Sequence, residues 1–449
     1  MMDACLIFDI GKTNKKAFVF SQSYEVLWQE SVRIDEVMDD DGDACDNLFE
    51  IVNWIKEVQN KLIDNTNFDI KAINFSTYGA TLIYVDKNGK AIAPIYNYLK
   101  KFPKDLKIAF EEKYNIEKDF FLKSASPDMG MLNAGMQAYW LKYKKLETFK
   151  NTRYALHFPQ YLSFTFTKKP NAEYTSLGSH TGLWDFEKKQ YMAWCEQEHL
   201  HMLLNEPILA SHTETVAALK IGAGIHDSSA ALVPYLKGIQ EPFVLISTGT
   251  WSVSMNPFNK TALSKRELEN DCLQYLSYQG NPVKSSRIFA GNEHERHVKH
   301  LANYFEKPLE YFKSVVFDGQ VVKNLRKKNT QKLPNESHLE CLMESQFVER
   351  NLNTFASYEE AYHQLMMDLV TQQVASTRLI LTDNSIKHII VEGGFANNTI
   401  FMKLLTEAFF HQKVYRANLA QGSAVGAAMV IGAAWGAQAF GELNLQEVV

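Results

Sequence analysis

The chain has 449 residues, about three times the ~150 residues of a typical single domain, so it should form two or three compact units. Hydrophobic residues make up 46% and charged residues 22%, a globular composition that excludes a disordered or collagen-like chain. With 47 lysines and arginines against 52 aspartates and glutamates, the net charge of −5 argues against a nucleic-acid partner or an anionic-membrane partner.

The five cysteines are odd in number, scattered and without a CxxC pair: Cys5, Cys45, Cys195, Cys272 and Cys341. This pattern argues against a disulfide framework or a zinc site and indicates a reducing compartment, which we expect to be the cytoplasm. The first residues include no basic region, and the apolar run of residues 5–8 stops at Asp9. The segment therefore predicts a strand rather than a signal peptide.

Two similar strand–turn–strand patterns lie about half a chain apart. The first is an apolar run at residues 5–8, a polar turn with Gly11, and apolar residues 17–20; the second begins with residues 243–246 and turns at Gly249. Such hairpins are common individually, but the pair suggests two related halves. We place the boundary after residue 238, which predicts an N-terminal domain over 1–238 and a C-terminal domain over 239–449.

The remaining elements predict an α/β chain. Residues 69–75 and 81–85 are typical of buried strands, the spacing of apolar residues over 361–374 predicts a helix, and a strand at 386–391 leads into a second helix after Gly393-Gly394. Residues 260–354 are more polar and irregular, and they predict no clear element.

The longest uncharged stretch lies between Arg416 and Glu442. Its Gly/Ala-rich centre, residues 424–440, is shorter than the ~20 residues that a membrane span needs, and Gln438 interrupts it. We therefore predict a tightly packed, buried helix and no membrane partner.

The first turn combines residues that can bind a phosphate. Gly11 allows backbone amides to approach closely, Lys12 supplies positive charge, and Thr13 and Asn14 add donors. Asp9, at the end of a buried strand, is well placed to hold Mg²⁺. The same residue types are also usual in a solvent-facing hairpin turn, which remains the alternative for this turn alone.

The second turn contains Thr248, Gly249 and Thr250, which offer hydroxyls and amides but no carboxylate. If both turns bind one polyphosphate, this asymmetry assigns the metal to the N-terminal half, at Asp9. A turn of Ser, Thr and Gly is ordinary by itself.

A glycine-rich approach at residues 222–226 leads to Asp227, which should begin a helix. Its carboxylate could take the proton from an attacking hydroxyl during phosphoryl transfer. The alternative is a helix N-cap, which is common for an aspartate at a helix start, and one residue can serve both roles.

Gly393-Gly394 follows a predicted strand, and Asn398 comes four residues later. Two glycines admit a flat ligand such as adenine, to which the Asn398 amide could hydrogen-bond. The alternative is a tight strand-to-helix turn with an Asn cap.

Taken in order, these motifs resemble the FGGY carbohydrate kinases of the actin-like (ribonuclease H-like) ATPase superfamily, over essentially the whole chain. The matching segments are Asp9 with Gly11, residues 76–81, His226-Asp227, residues 247–251, Gly393-Gly394 with Asn398, and residues 421–428. The resemblance implies an α/β fold with two ribonuclease H-like domains that close an interdomain cleft on ATP–Mg²⁺ and a sugar.

The resemblance also implies roles for individual residues. Asp227 would be the catalytic base and, with Asp9, a metal ligand, whereas the substrate would be bound by Thr77, Tyr78, Tyr96 and His226. The nucleotide would be bound by Gly11, Lys12, Thr13, Asn14, Thr248, Gly249, Thr250, Gly393, Gly394 and Asn398.

Three positions depart from the family pattern. Lys12 stands where a small hydroxyl residue is usual, and Gln421 replaces a glutamate that we take as structural. Tyr98 stands where many members carry an aspartate that binds sugar hydroxyls, so the substrate should present fewer hydroxyls or be bound elsewhere.

Residues 226–230 and 247–252 are most similar to the L-rhamnulose kinase branch. A 6-deoxy-ketose such as L-rhamnulose is the expected acceptor, because its methyl group would suit Tyr78, Tyr96 and Tyr98. L-fuculose, D-xylulose, D-ribulose and glycerol remain alternatives, as does a non-transferring actin-like ATPase or sugar sensor. The oligomeric state stays open, with a homodimer as one expectation.

Overall fold

The computed structural model describes residues 2–63, 67–115, 119–329, 342–381, 385–419 and 421–448. The chain divides into two compact units: unit 1 is Met1–Gly238, Gln274–Pro282 and Ala420–Glu442, and unit 2 is Ile239–Leu273, Val283–Leu419 and Leu443–Val449. The break after Gly238 coincides with the boundary placed from sequence. Two segments of the C-terminal half nevertheless belong to unit 1, and the sequence division did not anticipate this.

The strands, in chain order, are β1 Met2–Ile10, β2 Lys15–Ser21, β3 Val26–Val32, β4 Val37–Met38, β5 Ala44–Cys45, β6 Phe68–Thr77, β7 Leu82–Val85, β8 Tyr154–His157, β9 Ala172–Glu173, β10 Trp184–Asp185, β11 Gln190–Tyr191, β12 Pro207–Ile208, β13 Thr213–Val216, β14 Leu219–Gly222, β15 Ile225–His226, β16 Phe243–Thr248, β17 Ser252–Asn256, β18 Cys272–Leu276, β19 Pro282–Ile288, β20 His388–Gly393, β21 Lys413–Ala417 and β22 Leu445–Glu447.

The helices are α1 Leu48–Ile63, α2 Lys104–Tyr114, α3 Phe120–Lys123, α4 Ala134–Lys144, α5 Leu146–Asn151, α6 Phe158–Thr167, α7 Tyr174–Leu177, α8 Ala193–Gln197, α9 Asp227–Gly238, α10 Lys265–Glu269, α11 Ala290–Tyr304, α12 Gly319–Asn329, α13 Tyr358–Leu379, α14 Thr399–Ala408 and α15 Gly422–Val430.

Unit 1 is built on a seven-stranded mixed sheet in the order β13-β14-β6-β1-β2-β3, with β15 also paired to β6. The strands β1, β2 and β3 form antiparallel pairs, whereas β1, β14 and β15 all run parallel to β6. Because parallel strands end at the same edge of a sheet, the last residues of β1, β6 and β15 come together there.

The apolar stretch near the C-terminus forms α15, a buried helix of unit 1, as its composition predicted. It packs so closely on α9 that a Cβ on Gly426 would lie 1.9 Å from the carbonyl oxygen of Ala230. The buried Asn74 of β6 donates a hydrogen bond to the Ala427 carbonyl, 2.8 Å away. None of the described helices combines the length and the apolar character needed to cross a membrane.

The strands of unit 2 belong to a second seven-stranded sheet, in the order β18-β19-β17-β16-β20-β21-β22. Its β16 pairs antiparallel with β17 and parallel with β20, which repeats the arrangement of β1 with β2 and β6 in unit 1. The repeated hairpin detected in the sequence is thus the centre of each sheet. The stretch 260–354, which predicted no clear element, contributes β18, β19, α11 and α12.

Candidate active site

The sheet of unit 1 gathers the predicted catalytic residues at one edge. Asp9, near the end of β1, is in register with Ser76 of β6 and with Lys16 of β2. His226 of β15 is in register with Thr77, the last residue of β6, and Asp227 follows as the first residue of α9. Asp9 and Asp227 are more than 200 positions apart in the chain, but they lie at the same edge of the sheet because three parallel strands end there.

The Asp227 carboxylate is confined but still accessible, with 32% of its side chain exposed. Its Oδ1 accepts hydrogen bonds from the Ser228 amide at 2.6 Å and from the Ser228 hydroxyl at 3.2 Å. Burial raises its pKa to about 6, although the Ser228 bonds act in the opposite direction. A carboxylate with a pKa near neutrality is suited to accept a proton.

Asp9 accepts a hydrogen bond from a residue of α15. The Ser423 hydroxyl donates a hydrogen bond to Asp9 Oδ2 at 2.9 Å. Burial raises the pKa of Asp9 to about 6, and the negative charge of Asp227 adds to this rise. Ser423 was not singled out from the sequence, although it lies within the recognised segment 421–428.

His226 is buried beside the Asp227 carboxylate, with 4% of its surface exposed. Its Nε2 lies 3.2 Å from the Ser179 hydroxyl and 3.3 Å from Asp227 Oδ1. Burial lowers the pKa of His226 to about 4, so the ring is neutral at neutral pH. A Cβ on Gly79 would lie 2.7 Å from the Ser179 hydroxyl, so the loop after β6 can approach this pair only with a glycine.

Thr77 and Tyr78, two of the predicted substrate residues, are both buried at the end of β6. The Thr77 hydroxyl donates to the Tyr78 carbonyl at 2.9 Å, and the Tyr78 hydroxyl donates to Asp46 Oδ2 at 2.8 Å. Ala80 follows with a φ of 57°, a left-handed conformation that bends the loop sharply.

Asp46 is the centre of a buried charge cluster that the sequence did not reveal. Its carboxylate lies 2.7 Å from the ammonium groups of both Lys12 and Lys15, and it also accepts the Tyr78 hydroxyl. Burial alone would raise the pKa of Asp46, but these three partners hold it below its usual value. The predicted phosphate ligand Lys12 is therefore paired with Asp46, and also with Glu36 at 2.8 Å. We call Asp46, Lys12, Lys15 and Tyr78 the Asp46 cluster.

The two remaining tyrosines differ in environment. Tyr96 is 1% exposed, its ring packs edge-on against Trp140 at 4.7 Å, and its hydroxyl lies 3.4 Å from Asp40. Tyr98 is only half-buried, with its ring 5.9 Å from that of Tyr78. Burial raises the pKa of Tyr98, and the charge of Asp227 contributes to the rise. Tyr98 thus lies beside Tyr78 and within electrostatic range of Asp227, whereas Tyr96 lies in a core.

The first turn is closed by a hydrogen bond from the Gly11 amide to the Asn14 carbonyl, 3.0 Å. Thr13 is exposed at its tip, and the Asn14 side chain accepts a hydrogen bond from Arg33 at 3.4 Å. The turn has the form expected of a β-hairpin, and its charged Lys12 is directed into the Asp46 cluster.

Unit 2 contains a cavity of about 600 Å³ that includes several predicted nucleotide residues. Thr248, Gly249, Gly394 and Asn398 line it, while Thr250 and Gly393 do not. The other walls come from residues that the sequence did not indicate: Gly291, His294, Phe312, Lys313, Val315, Val316, Phe395, Asn397 and Thr399. Several of these lie in the irregular stretch 260–354, where no periodic pattern marked them.

Two glycines let the backbone close tightly at this cavity. A Cβ on Gly393 would lie 1.9 Å from the Thr248 carbonyl oxygen, and a Cβ on Gly291 would lie 1.9 Å from that of Gly249. Gly393 also has a φ of 84°, which favours glycine. The Thr248 hydroxyl accepts a hydrogen bond from the Phe395 amide at 3.0 Å, and this fixes the turn after β20.

Asn398 is the N-cap of α14, the alternative that the sequence left open. Its Oδ1 accepts a hydrogen bond from the Phe401 amide at 2.9 Å, and its Nδ2 donates to the Tyr362 hydroxyl at 2.8 Å. Asn398 also lines the cavity, so the cap does not remove it from the site.

Comparison with known families decides the assignment. A model of the N-terminal domain of the FGGY family of carbohydrate kinases matches residues 4–203, and a model of the carbohydrate kinase FGGY C-terminal domain matches residues 240–439. The chain belongs to the FGGY family of carbohydrate kinases. Membership makes it an ATP-dependent sugar or polyol kinase, as the motif order predicted. Among curated proteins, none matches the sequence.

Solved structures of FGGY kinases share the fold of this chain. A carbohydrate kinase from Novosphingobium aromaticivorans is 20% identical with a TM-score of 0.81, covering 100% of this chain and 94% of that one. A ligand-bound xylulose kinase from Lactobacillus acidophilus is 13% identical, with a TM-score of 0.76 and coverages of 97% and 90%. Plasmodium falciparum glycerol kinase with ADP is 16% identical, with a TM-score of 0.73 and coverages of 96% and 90%. The α/β fold predicted from the motifs, that of the actin-like ATPases, is confirmed.

Proposed function

We propose that this FGGY kinase transfers the γ-phosphate of ATP to a hydroxyl of a ketose, with Asp227 as general base and a 6-deoxy-ketose such as L-rhamnulose as acceptor. The observation that carries the proposal is the environment of Asp227: an accessible carboxylate whose pKa burial raises to about 6, beside a buried, neutral His226. A base whose pKa lies just below the working pH is both ionised and able to take a proton.

In the proposed reaction, Asp227 accepts the proton of the sugar hydroxyl as that oxygen attacks the γ-phosphorus. The carboxylate is oriented by Ser228 and bordered by His226. The nucleotide base occupies the unit 2 cavity, where Gly249 and Gly394 allow close approach of the backbone.

Asp9, together with Asp227, fits a site for Mg²⁺. The negative charge of Asp227 contributes to the raised pKa of Asp9, and a divalent cation would stabilise two carboxylates in such an arrangement. When bound, Mg²⁺ would neutralise phosphate charge during transfer. Ser423 would orient Asp9 through its 2.9 Å hydrogen bond.

The acceptor is proposed from the aromatic character of the sugar side. Tyr98 stands near Tyr78 and Asp227 where many relatives have an aspartate, which favours a substrate with a methyl group in place of a hydroxyl. Tyr96, buried against Trp140, presents no surface to a substrate. L-fuculose, D-xylulose, D-ribulose and glycerol are the competing acceptors.

The test is ADP release measured with ATP, Mg²⁺ and each of L-rhamnulose, L-fuculose, D-xylulose, D-ribulose and glycerol, against a no-sugar baseline. The highest kcat/KM should belong to L-rhamnulose, and Asp227→Asn should abolish the stimulation. A higher kcat/KM for another acceptor would overturn the deoxy-ketose assignment while leaving the kinase intact. ADP release that no sugar stimulates would instead favour the sensor alternative.

The proposal includes a cytoplasmic enzyme, which the free thiols of Cys5, Cys45, Cys195 and Cys272 support. Whether it works as a homodimer is decided by light scattering of the purified protein.

A further inference from the structure

His294 is one of the aromatic side chains that line the unit 2 cavity, and its imidazole can form hydrogen bonds. It lies on α11, with its ring centroid 5.1 Å from that of Phe312, 5.4 Å from Phe395 and 5.8 Å from Tyr362. Phe312 and Phe395 line the cavity with it, whereas Tyr362 is fully buried behind. These three contacts hold the imidazole in one orientation.

The hydrogen bonds behind the ring have a definite direction. Asn398 Oδ1 accepts the Phe401 amide proton at 2.9 Å, so the group that faces Tyr362 is the Asn398 NH₂. The Tyr362 oxygen accepts from that NH₂ at 2.8 Å, and its single proton is then free to donate to His294 Nε2 at 3.0 Å.

Among the described residues the Tyr362 hydroxyl has no acceptor for its proton other than His294 Nε2, and donation to that atom sets the tautomer of His294. Burial lowers its pKa to about 4, so the imidazole carries one proton at neutral pH. Because Nε2 accepts from Tyr362, that proton must be on Nδ1. No hydrogen bond joins Nδ1 to any residue in the described part of the chain.

We infer that the Nδ1–H of His294 donates a hydrogen bond to a ring nitrogen of the purine base held in this cavity, and that Tyr362 is a positioning residue that sets the donor. The inference rests on the nucleotide role proposed for the cavity. A purine offers acceptor nitrogens at N1, N3 and N7 in the plane of the ring. The apolar side chains of Phe312 and Val315 line the cavity with His294 and reduce the contact of such a bond with competing water.

Calorimetric titration of the full chain without sugar tests the bond atom by atom. The wild-type protein is titrated with ATP and with 1-deaza-, 3-deaza- and 7-deaza-ATP, each of which replaces one acceptor nitrogen by C–H. One analogue should bind about three- to tenfold more weakly than ATP, the range of one neutral hydrogen bond, and the other two should bind like ATP.

Variants identify the donor. His294→Phe keeps a ring but has no N–H, so its affinity for ATP should fall by a similar factor. This variant should bind the sensitive analogue and ATP with equal affinity. Tyr362→Phe should lower the affinity for ATP less than His294→Phe does, because about half of the His294 rings still carry the proton on Nδ1. This loss of affinity should vanish when Tyr362→Phe is combined with His294→Phe. The control is His300→Phe, an exposed position on the same helix, which should bind ATP like wild type. If His294→Phe does not fold, His294→Leu, which also has no N–H, takes its place, and the wild-type analogue series stands independently.

Equal binding of ATP and all three analogues by the wild type would overturn the inference, as would losses that add between His294→Phe and the sensitive analogue. Either result leaves the kinase assignment standing, because ATP still binds. A wild-type protein that binds no ATP would refute the nucleotide role of the cavity as well.

Discussion

Removing the negative charge of Asp46 should destabilise unit 1 by several kcal/mol. The Asp46 and Lys15 side chains are only 3% and 1% exposed, and their charged atoms lie 2.7 Å apart. In Asp46→Asn the amide oxygen can still accept the Tyr78 hydroxyl, but Lys15 loses its counter-charge and keeps only the Lys12 carbonyl, 2.9 Å away. Removing one partner of a buried ion pair lowers the free energy of unfolding by about 3–5 kcal/mol.

The loss is large against the stability of a domain, about 5–15 kcal/mol in total, and should be visible in urea unfolding. Tryptophan fluorescence reports chiefly on unit 1, because six of the seven tryptophans belong to it. Glu36→Gln is the matched control, because Glu36 also pairs with Lys12 but is 47% exposed. This variant should change the free energy of unfolding by less than about 1 kcal/mol.

A double-mutant cycle with Lys15→Met isolates the pair. Because the double variant no longer buries an unpaired cation, the two changes together should cost less than their sum, by about 1–3 kcal/mol. Additive losses would refute the reasoning, since they would mean that the charges of Asp46 and Lys15 do not depend on each other.

The pH dependence has a definite sign. The pKa of Asp46 is lowered in the folded state, so its ionised form contributes stability above the unfolded-state pKa of about 3.9. That contribution is lost as the pH falls through the lower, folded-state pKa. The difference between wild type and Asp46→Asn should therefore be constant from pH 8 to pH 5 and shrink below about pH 4. A difference that persists undiminished at pH 3 would contradict a charge effect.

Three further predictions address the catalytic edge and its supporting helix. Asp227→Asn should lower kcat by about 10²–10⁴-fold. Its ATP affinity and its free energy of unfolding should stay near wild type, because the asparagine side chain keeps the oxygen that accepts the hydrogen bond from the Ser228 backbone N–H. A wild-type kcat would exclude Asp227 as the base. Asp9→Ala should move half-saturation by Mg²⁺ to higher concentration at saturating sugar, and an unchanged titration would leave Asp9 without a metal role. Gly426→Ala would put a methyl group 1.9 Å from a carbonyl oxygen of α9, so its free energy of unfolding in urea should fall by about 1–3 kcal/mol. The control Gly441→Ala, which has nothing within 4 Å of the new methyl, should unfold like wild type. Equal stability of the two variants would disprove the close packing of α9 and α15.

The amino-acid sequence by itself determined the class of the fold and the family. Apolar runs such as residues 5–8 and 243–246 mark the central strands because a buried strand needs continuous apolar residues on both faces. The order of the short motifs around Asp9, Asp227 and Gly393 then identified an FGGY kinase. Each apolar run and each motif is local, since it depends on residues close together in the chain, and the order of the motifs follows directly from the chain.

The tertiary structure alone decided which distant residues meet. Asp46 contacts Tyr78 across 32 positions, and Ser423 contacts Asp9 across 414. No periodicity records such pairs, because side-chain spacing encodes which face of an element is buried but not which element covers it. For the same reason Tyr96 could be expected in a substrate pocket and yet lies against Trp140, and His294 lines a cavity from a stretch with no clear pattern. These neighbours follow from sheet order and helix packing, which only the folded chain defines.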